Sequence, residues 1–301
     1  MKKYIILLAI FAYAIQLFAQ EETEKVKDTP VSPPFESGIL IDAQTTVIPD
    51  ARTLEFIIQH KFGSMQNGTS DLWGIYAPGA NVRLGLNYTP IKNFQIGIGQ
   101  TKKNMYTDFN AKWTVFQQTE QNKVPVSIAL YGVFAIDGRN EDAFGTGDIR
   151  HSGESGIFHL GFDDRFSYFS QLIIGRKFCD WFSLQAGASF THYNLVDHDY
   201  NHDIIGAHVN GRIKFSPQGS LMFTYDHPLK IKNITEQSTW DTHAKPNLAF
   251  GVEIFTFTHA FQIYVGTADG IIPQDIMTYN QNDWKNKGLA IGFTITRLWM
   301  F

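Results

Sequence analysis

The chain has 301 residues, 25 basic against 29 acidic side chains for a formal charge of −4, one cysteine and 14% aromatic residues. The acidic balance excludes nucleic acid as an expected partner, and the lone Cys179 excludes an intrachain disulfide framework. With a mean hydropathy of −0.16 and no apolar run of about 20 residues after the N-terminus, membrane-spanning helices are excluded as well.

The chain opens with Met1-Lys2-Lys3, an apolar stretch from Tyr4 to Phe18, then Ala19-Gln20 and the acidic run Glu21 to Glu24. A basic start, a short apolar core and a small residue at the break form a Sec-type signal peptide over residues 1–19, too short to cross a bilayer. Its loss removes Lys2 and Lys3 and leaves 23 of the 25 basic residues against 29 acidic ones. Residues 20–38 are charged and then proline-rich at Thr29 to Pro34, without periodicity, and predict a flexible periplasmic leader.

From residue 39 to 301 the sequence alternates apolar with polar or small residues, the pattern of strands with two unlike faces. Val82, Leu84, Leu86 and Tyr88 alternate with Asn81, Arg83, Gly85 and Asn87, and Ile205, Ala207, Val209 and Ile213 with His208, Asn210, Arg212 and Lys214. The candidate strands are 39–48, 53–62, 80–89, 94–101, 105–118, 125–136, 166–178, 182–193, 203–215, 220–226, 247–257, 261–267 and 288–300. Barrels of one bacterial chain normally have an even number of strands. Twelve wall strands are therefore expected, with 39–48 in the lumen or along the barrel; fourteen is the alternative, with a further strand inside 137–164.

The connections alternate in length. Short ones fall near Pro49-Asp50-Ala51, Pro90 to Asn93, Thr119 to Val124, Cys179 to Trp181, Ser216 to Gly219 and His259, and long polar ones at 63–79, 137–164, 196–202, 227–246 and 269–287. Short periplasmic turns and long extracellular loops mark a membrane barrel. The fold class expected is all-β: a transmembrane, antiparallel, up-and-down β-barrel in the bacterial outer membrane, with lipid around it.

The last strand places Leu289, Ile291, Phe293, Ile295, Trp299 and Phe301 on one face, with Arg297 interrupting it near the rim. It resembles the terminal strand of bacterial outer-membrane proteins; that resemblance makes Phe293, Ile295, Trp299 and Phe301 an assembly signal read by the barrel-assembly machinery. The mature chain as a whole resembles a family of uncharacterised outer-membrane β-barrel proteins widespread in Bacteroidota. The resemblance rests on Phe35 to Pro49, on Leu54 to Gly63, and on Asn81 to Tyr88 followed by Gly97-Ile-Gly-Gln100. It implies a location and a fold, and no activity.

Strand parity sends Glu55, Lys61, Arg83, Asp108, Lys112, Arg212, Lys214 and Glu253 into the lumen. Charges there must be paired or hydrated, so the set implies either a salt-bridged plug or a wet channel of mixed charge. The segment Asp197 to Asp203 carries His198, His202, Asp199 and Asp203, donors that suit a divalent ion, but a solvated, acidic external loop is the preferred reading. His60 shares the outer face with Leu54, Phe56 and Ile58 and is expected at a rim. His151, Ser152 and Ser155 lie together in a glycine-rich loop but lack the strand-turn-helix setting of a nucleophile elbow. No enzyme and no cofactor are expected from these patterns. Two functions fit: a narrow passive channel for a small polar solute, with Arg83, Lys112 and Arg212 along its path, or a plugged barrel that docks a periplasmic or surface partner; an outer-membrane hydrolase is a distant third.

Overall fold

In the computed structural model, residues 28–144, 149–151, 160–197, 200–231 and 242–301 are described. Twelve strands form a closed barrel. They are β1 Thr53–Ser64, β2 Asn81–Ile91, β3 Phe94–Thr101, β4 Thr107–Phe116, β5 Ser127–Ile136, β6 Phe166–Cys179, β7 Phe182–Tyr193, β8 Asp203–Lys214, β9 Gly219–Leu229, β10 Asn247–Thr256, β11 His259–Gly266 and β12 Ala290–Met300. Each pairs antiparallel with its neighbour in the chain, and β12 returns to β1 with Ile295 opposite Ile58, so no edge is left unpaired.

The distribution of polarity is the reverse of that in a water-soluble barrel. Outward-facing Leu84, Leu86, Phe109, Leu130, Leu172, Phe250 and Ile263 are between 41% and 66% exposed, whereas inward-facing Gln59, Thr114, Gln185, Asn210, Thr224 and Gln262 are at most 2% exposed. Leaving one large apolar side chain in water forfeits about 1.5–3 kcal/mol; a belt of them is at home only in lipid. Aromatic residues gather at the short-turn end, where Phe116, Phe178, Trp181, Phe215, Phe257 and Phe301 are all more than half exposed. Such a girdle marks a membrane interface. There too Arg297 donates to His259 Nε2 and lies 5.3 Å from the Trp299 ring, which gives a charge on the lipid-facing strand a partner at the rim.

Twelve wall strands suffice because residues 39–48 leave the wall and fold into the lumen. Ile39–Leu40 and Ala43–Gln44 pair as a minimal hairpin, turned by Ile41 at a φ of +61°. The leader expected over 20–38 is not free in its described part. Pro30 bridges to Thr119, Val31 N–H donates to the Gln118 carbonyl at 2.9 Å, and Phe35 is fully buried among Leu40, Ile41, Met222, Ala249 and Tyr264. The physical reason is the lumen itself: a closed polar wall leaves charges and hydrogen-bonding groups that something has to meet. The segment expected to be a signal peptide, residues 1–19, lies outside the described residues.

A second element enters the lumen from the opposite, long-loop end. The connection from β11 to β12 carries a short helix, α1 Pro273–Tyr279, with proline in its first turn, where its missing N–H goes unneeded. Gln274 to Thr278 are buried. Met277 packs with Ala129, Tyr131, Val133, Phe169, Ile173 and Ile204 of the inner wall.

Candidate functional site: the closed lumen

All eight side chains that parity assigns to the lumen do point inward, and seven are buried; Lys214 is partly exposed. Their partners divide into two groups. Wall residues satisfy one another in the first: Arg83 makes a bidentate pair with Asp108, Nε to Oδ2 at 2.8 Å and Nη2 to Oδ1 at 2.6 Å, and also donates to Gln59. Glu55 accepts from Asn87 and Gln95 at 3.1 and 3.0 Å, and Glu253 from Gln262 at 2.8 Å.

The second group takes its partners from the N-terminal segment. Lys61 Nζ lies 2.6 Å from Asp42. Arg212 and Lys214 converge on the same carboxylate oxygen of Glu36 at 2.8 and 2.9 Å. Lys112 donates to the Gly38 carbonyl and to Gln44 Oε1, both at 3.0 Å. Neutral contacts extend the seam. Gln262 accepts from Ile41 N–H and donates to the Ile39 carbonyl, Gln185 donates to the Gln44 carbonyl, and Thr114 to that of Thr46. Wall side chains thus serve the plug's backbone where water would otherwise be required.

Lys61 also joins the two obstructions. Besides Asp42 it donates to the carbonyls of Ala268 and Gly270, at 2.9 and 2.6 Å, at the start of the inward-folded loop. Farther out, Lys103 pairs with Asp275 of α1 at 3.0 Å and with Asp269 at 3.4 Å. Burial works against its ammonium, but the two carboxylates outweigh burial and hold its pKa above the ordinary value. A cavity of about 40 Å³ lies between plug and helix, lined by Asp42, Arg83, Asp108, His208, Asp226 and Met277 among others. An outer vestibule of about 260 Å³ sits against Tyr106, Arg139, Arg165, Tyr193 and Tyr279.

Of the four metal candidates, His198 and Asp199 lie outside the described residues. His202 Nδ1 is 2.7 Å from the Tyr193 carbonyl, and Asp203 is 2.7 Å from His192 Nδ1, so these two engage different partners. Among the described residues no group of histidine, cysteine and carboxylate suited to a metal ion occurs. His151 belongs to a short strand and Ser152 and Ser155 lie outside the described residues. His60 faces outward and stacks on Phe293 with ring centres 5.0 Å apart. In the last strand Phe293 and Ile295 face outward in alternation with buried Thr294 and Thr296, and Trp299 and Phe301 lie at the rim. Sequence reasoning missed Glu36 and Asp42 as counter-ions and α1 as a lumen element.

A model of the family described as "membrane bound beta barrel domain (DUF5777)" matches residues 35–299. The chain belongs to this family. The match begins at Phe35, the first fully buried residue of the plug, so the family's domain takes in the lumen segment as well as the wall. No curated protein matches the chain. Among solved structures it is similar to an outer-membrane channel from Pseudomonas putida F1, at 12% identity over 84% of this chain and 97% of that one, with a TM-score of 0.49. It is also similar to the KdgM porin in complex with disordered oligogalacturonate, at 8% identity over 83% and 99% with a TM-score of 0.43. A third is the CymD monoaromatic hydrocarbon channel, at 9% identity over 84% and 89% with a TM-score of 0.41.

Proposed function

We propose that this family member is a narrow outer-membrane channel for a small polar solute, held shut by its own N-terminal segment from below and by α1 from above. One observation carries the reading: Lys61, Arg212 and Lys214 take their counter-ions from the plug and not from the wall. A barrel filled for good would gain as much or more from an apolar core, since buried ion pairs seldom beat well-packed hydrophobes. A lumen whose wall stays cationic once the segment is removed fits a conduit with a displaceable stopper. With the stopper out, Lys61, Lys112, Arg212 and Lys214 would face water together and favour anions.

Single-channel recording in planar bilayers tests this. The full mature chain is expected to be mostly silent. A variant that lacks residues 30–48 and carries a short glycine–serine linker in place of residues 271–279, so that both obstructions are gone, should conduct steadily with anion preference, and adding Arg212→Glu to it should move that preference toward cations. A deletion variant that folds and stays silent would remove the channel reading and leave the docking barrel, whose partner would then be sought by cross-linking.

A further inference from the structure

Three lumen residues that the channel reading does not use form a linear hydrogen-bonded chain across adjacent strands. On β8, His208 sits between Asp226 of β9 and Ser189 of β7. Its Nδ1 is 2.7 Å from Asp226 Oδ1 and its Nε2 is 2.7 Å from Ser189 Oγ. A carboxylate can only accept, so Nδ1 carries the proton and Nε2 presents its lone pair to the serine hydroxyl. The second oxygen of Asp226 accepts from Asn247 Nδ2 at 2.9 Å, which fixes the carboxylate in turn. This order of carboxylate, imidazole and hydroxyl is the arrangement that activates serine nucleophiles on unrelated folds.

Strand register builds it. His208 lies directly opposite Asp226, and Ser189 directly opposite Gly206, two residues along from His208 on the same inward face. Gly206 is what lets the serine and the imidazole meet: a Cβ there would stand 2.6 Å from Ser189 Oγ and 3.0 Å from His208 Nε2. Gln171 on β6 is the cross-strand partner of Ser189 on the other side, and its side chain lines the 40 Å³ cavity with His208, Asp226 and Tyr131. That cavity exceeds the space a water needs, and His208 and Asp226 border it. The Met277 methyl of α1 lies against Gly206 and covers the centre from the outer side.

We propose that Ser189, His208 and Asp226 form a nucleophilic centre in the lumen that is acylated by small carboxylic esters entering past α1. Ser189 Oγ attacks the ester carbonyl as its proton passes to His208 Nε2. The carbonyl-to-alkoxy bond then breaks and His208 returns the proton to the departing alcohol. A water then attacks the acyl-serine as its proton passes to the same nitrogen; the acyl-to-Oγ bond breaks, the free acid leaves, and His208 returns the proton to Ser189 Oγ.

The test treats the folded full chain in detergent with diisopropyl fluorophosphate, which forms a serine–phosphorus bond and expels fluoride, and follows intact mass and peptide mapping. A single adduct on Ser189 is expected. It should disappear in Ser189→Ala and slow at least about 100-fold in His208→Gln. Met277→Ala should speed it by uncovering the serine. p-Nitrophenyl acetate turnover should follow the same order. Two results would each overturn the proposal: no Ser189 adduct in either the wild type or Met277→Ala while both keep the heat-modifiable gel migration of a folded barrel, or labelling of Ser189 that His208→Gln leaves unchanged. A purely structural hydrogen-bond chain predicts one or the other.

Discussion

Lys61 is the residue at which the lumen's energetics concentrate. It is 2% exposed, it neutralises Asp42, and its remaining protons go to two carbonyls of the opposite obstruction. Removing one partner of a buried pair leaves an uncompensated charge at a cost of about 3–5 kcal/mol. Lys61→Met should therefore lower the unfolding free energy by roughly that amount in urea titrations followed by tryptophan fluorescence, and should raise open probability, because the stranded Asp42 escapes by leaving the lumen. Adding Asp42→Asn should restore much of the stability. If Lys61→Met alone costs under about 1 kcal/mol, the pair is not what anchors the plug. Inward placement of Lys61 was legible in the alternation of β1. Its partner was not, because Asp42 meets it only after the chain has turned back into a barrel that later strands must first close.

At the scale of elements, the wall could be read almost strand by strand, since every wall strand has one lipid face and one polar face and so keeps period two. Of the two lumen elements one was legible and one was not. The run from Ile39 to Ile48 alternates like a strand, but the even strand number expected of the wall sent it to the lumen or along the barrel, and it lies in the lumen with hydrogen bonds to wall side chains. Helix α1 has only seven residues, below the length at which helical periodicity shows. Its one signal was chemical: Ile271-Ile272-Pro273 and Ile276-Met277 are too apolar for a solvated loop. The plug's attachment offers a direct test. A Cβ at Gly175 would lie 3.1 Å from Thr46 Oγ1, and disulfides need Cβ atoms about 3.5–4.5 Å apart. With Cys179→Ser to remove the native thiol, Thr46→Cys with Gly175→Cys should cross-link plug to wall under mild oxidation. In a Lys61→Met background the oxidised pair should silence conductance and a reductant should restore it. Conductance indifferent to the redox state would mean that solute bypasses the plug.

For the whole molecule, the inverted polarity, read together with the alternation of short turns and long loops, pointed to class and location before any contact was known, while twelve strands followed from applying the even-number rule to thirteen candidates. What the inversion left open was the interior, where polar side chains serve equally well to line water or to grip a plug. The inversion itself yields a graded prediction. Leu172 lies near the middle of β6, 41% exposed beside Leu130 of β5, whereas Trp181 sits in the short turn after β6 and is 59% exposed. A lysine on the lipid face costs about 2–4 kcal/mol at the bilayer midplane and about 0–1 near the interface. Leu172→Lys should therefore destabilise the barrel in lipid vesicles by that larger amount, while Trp181→Lys stays near the smaller one, although in water the more exposed tryptophan would be the costlier apolar group to leave uncovered. Folding in urea-titrated vesicles reads the difference, and equal costs at the two depths would mean that this face does not meet hydrocarbon. In detergent micelles, which adapt their thickness and admit water, the gap between the two variants should shrink, so the depth dependence belongs to the bilayer and not to the sheet.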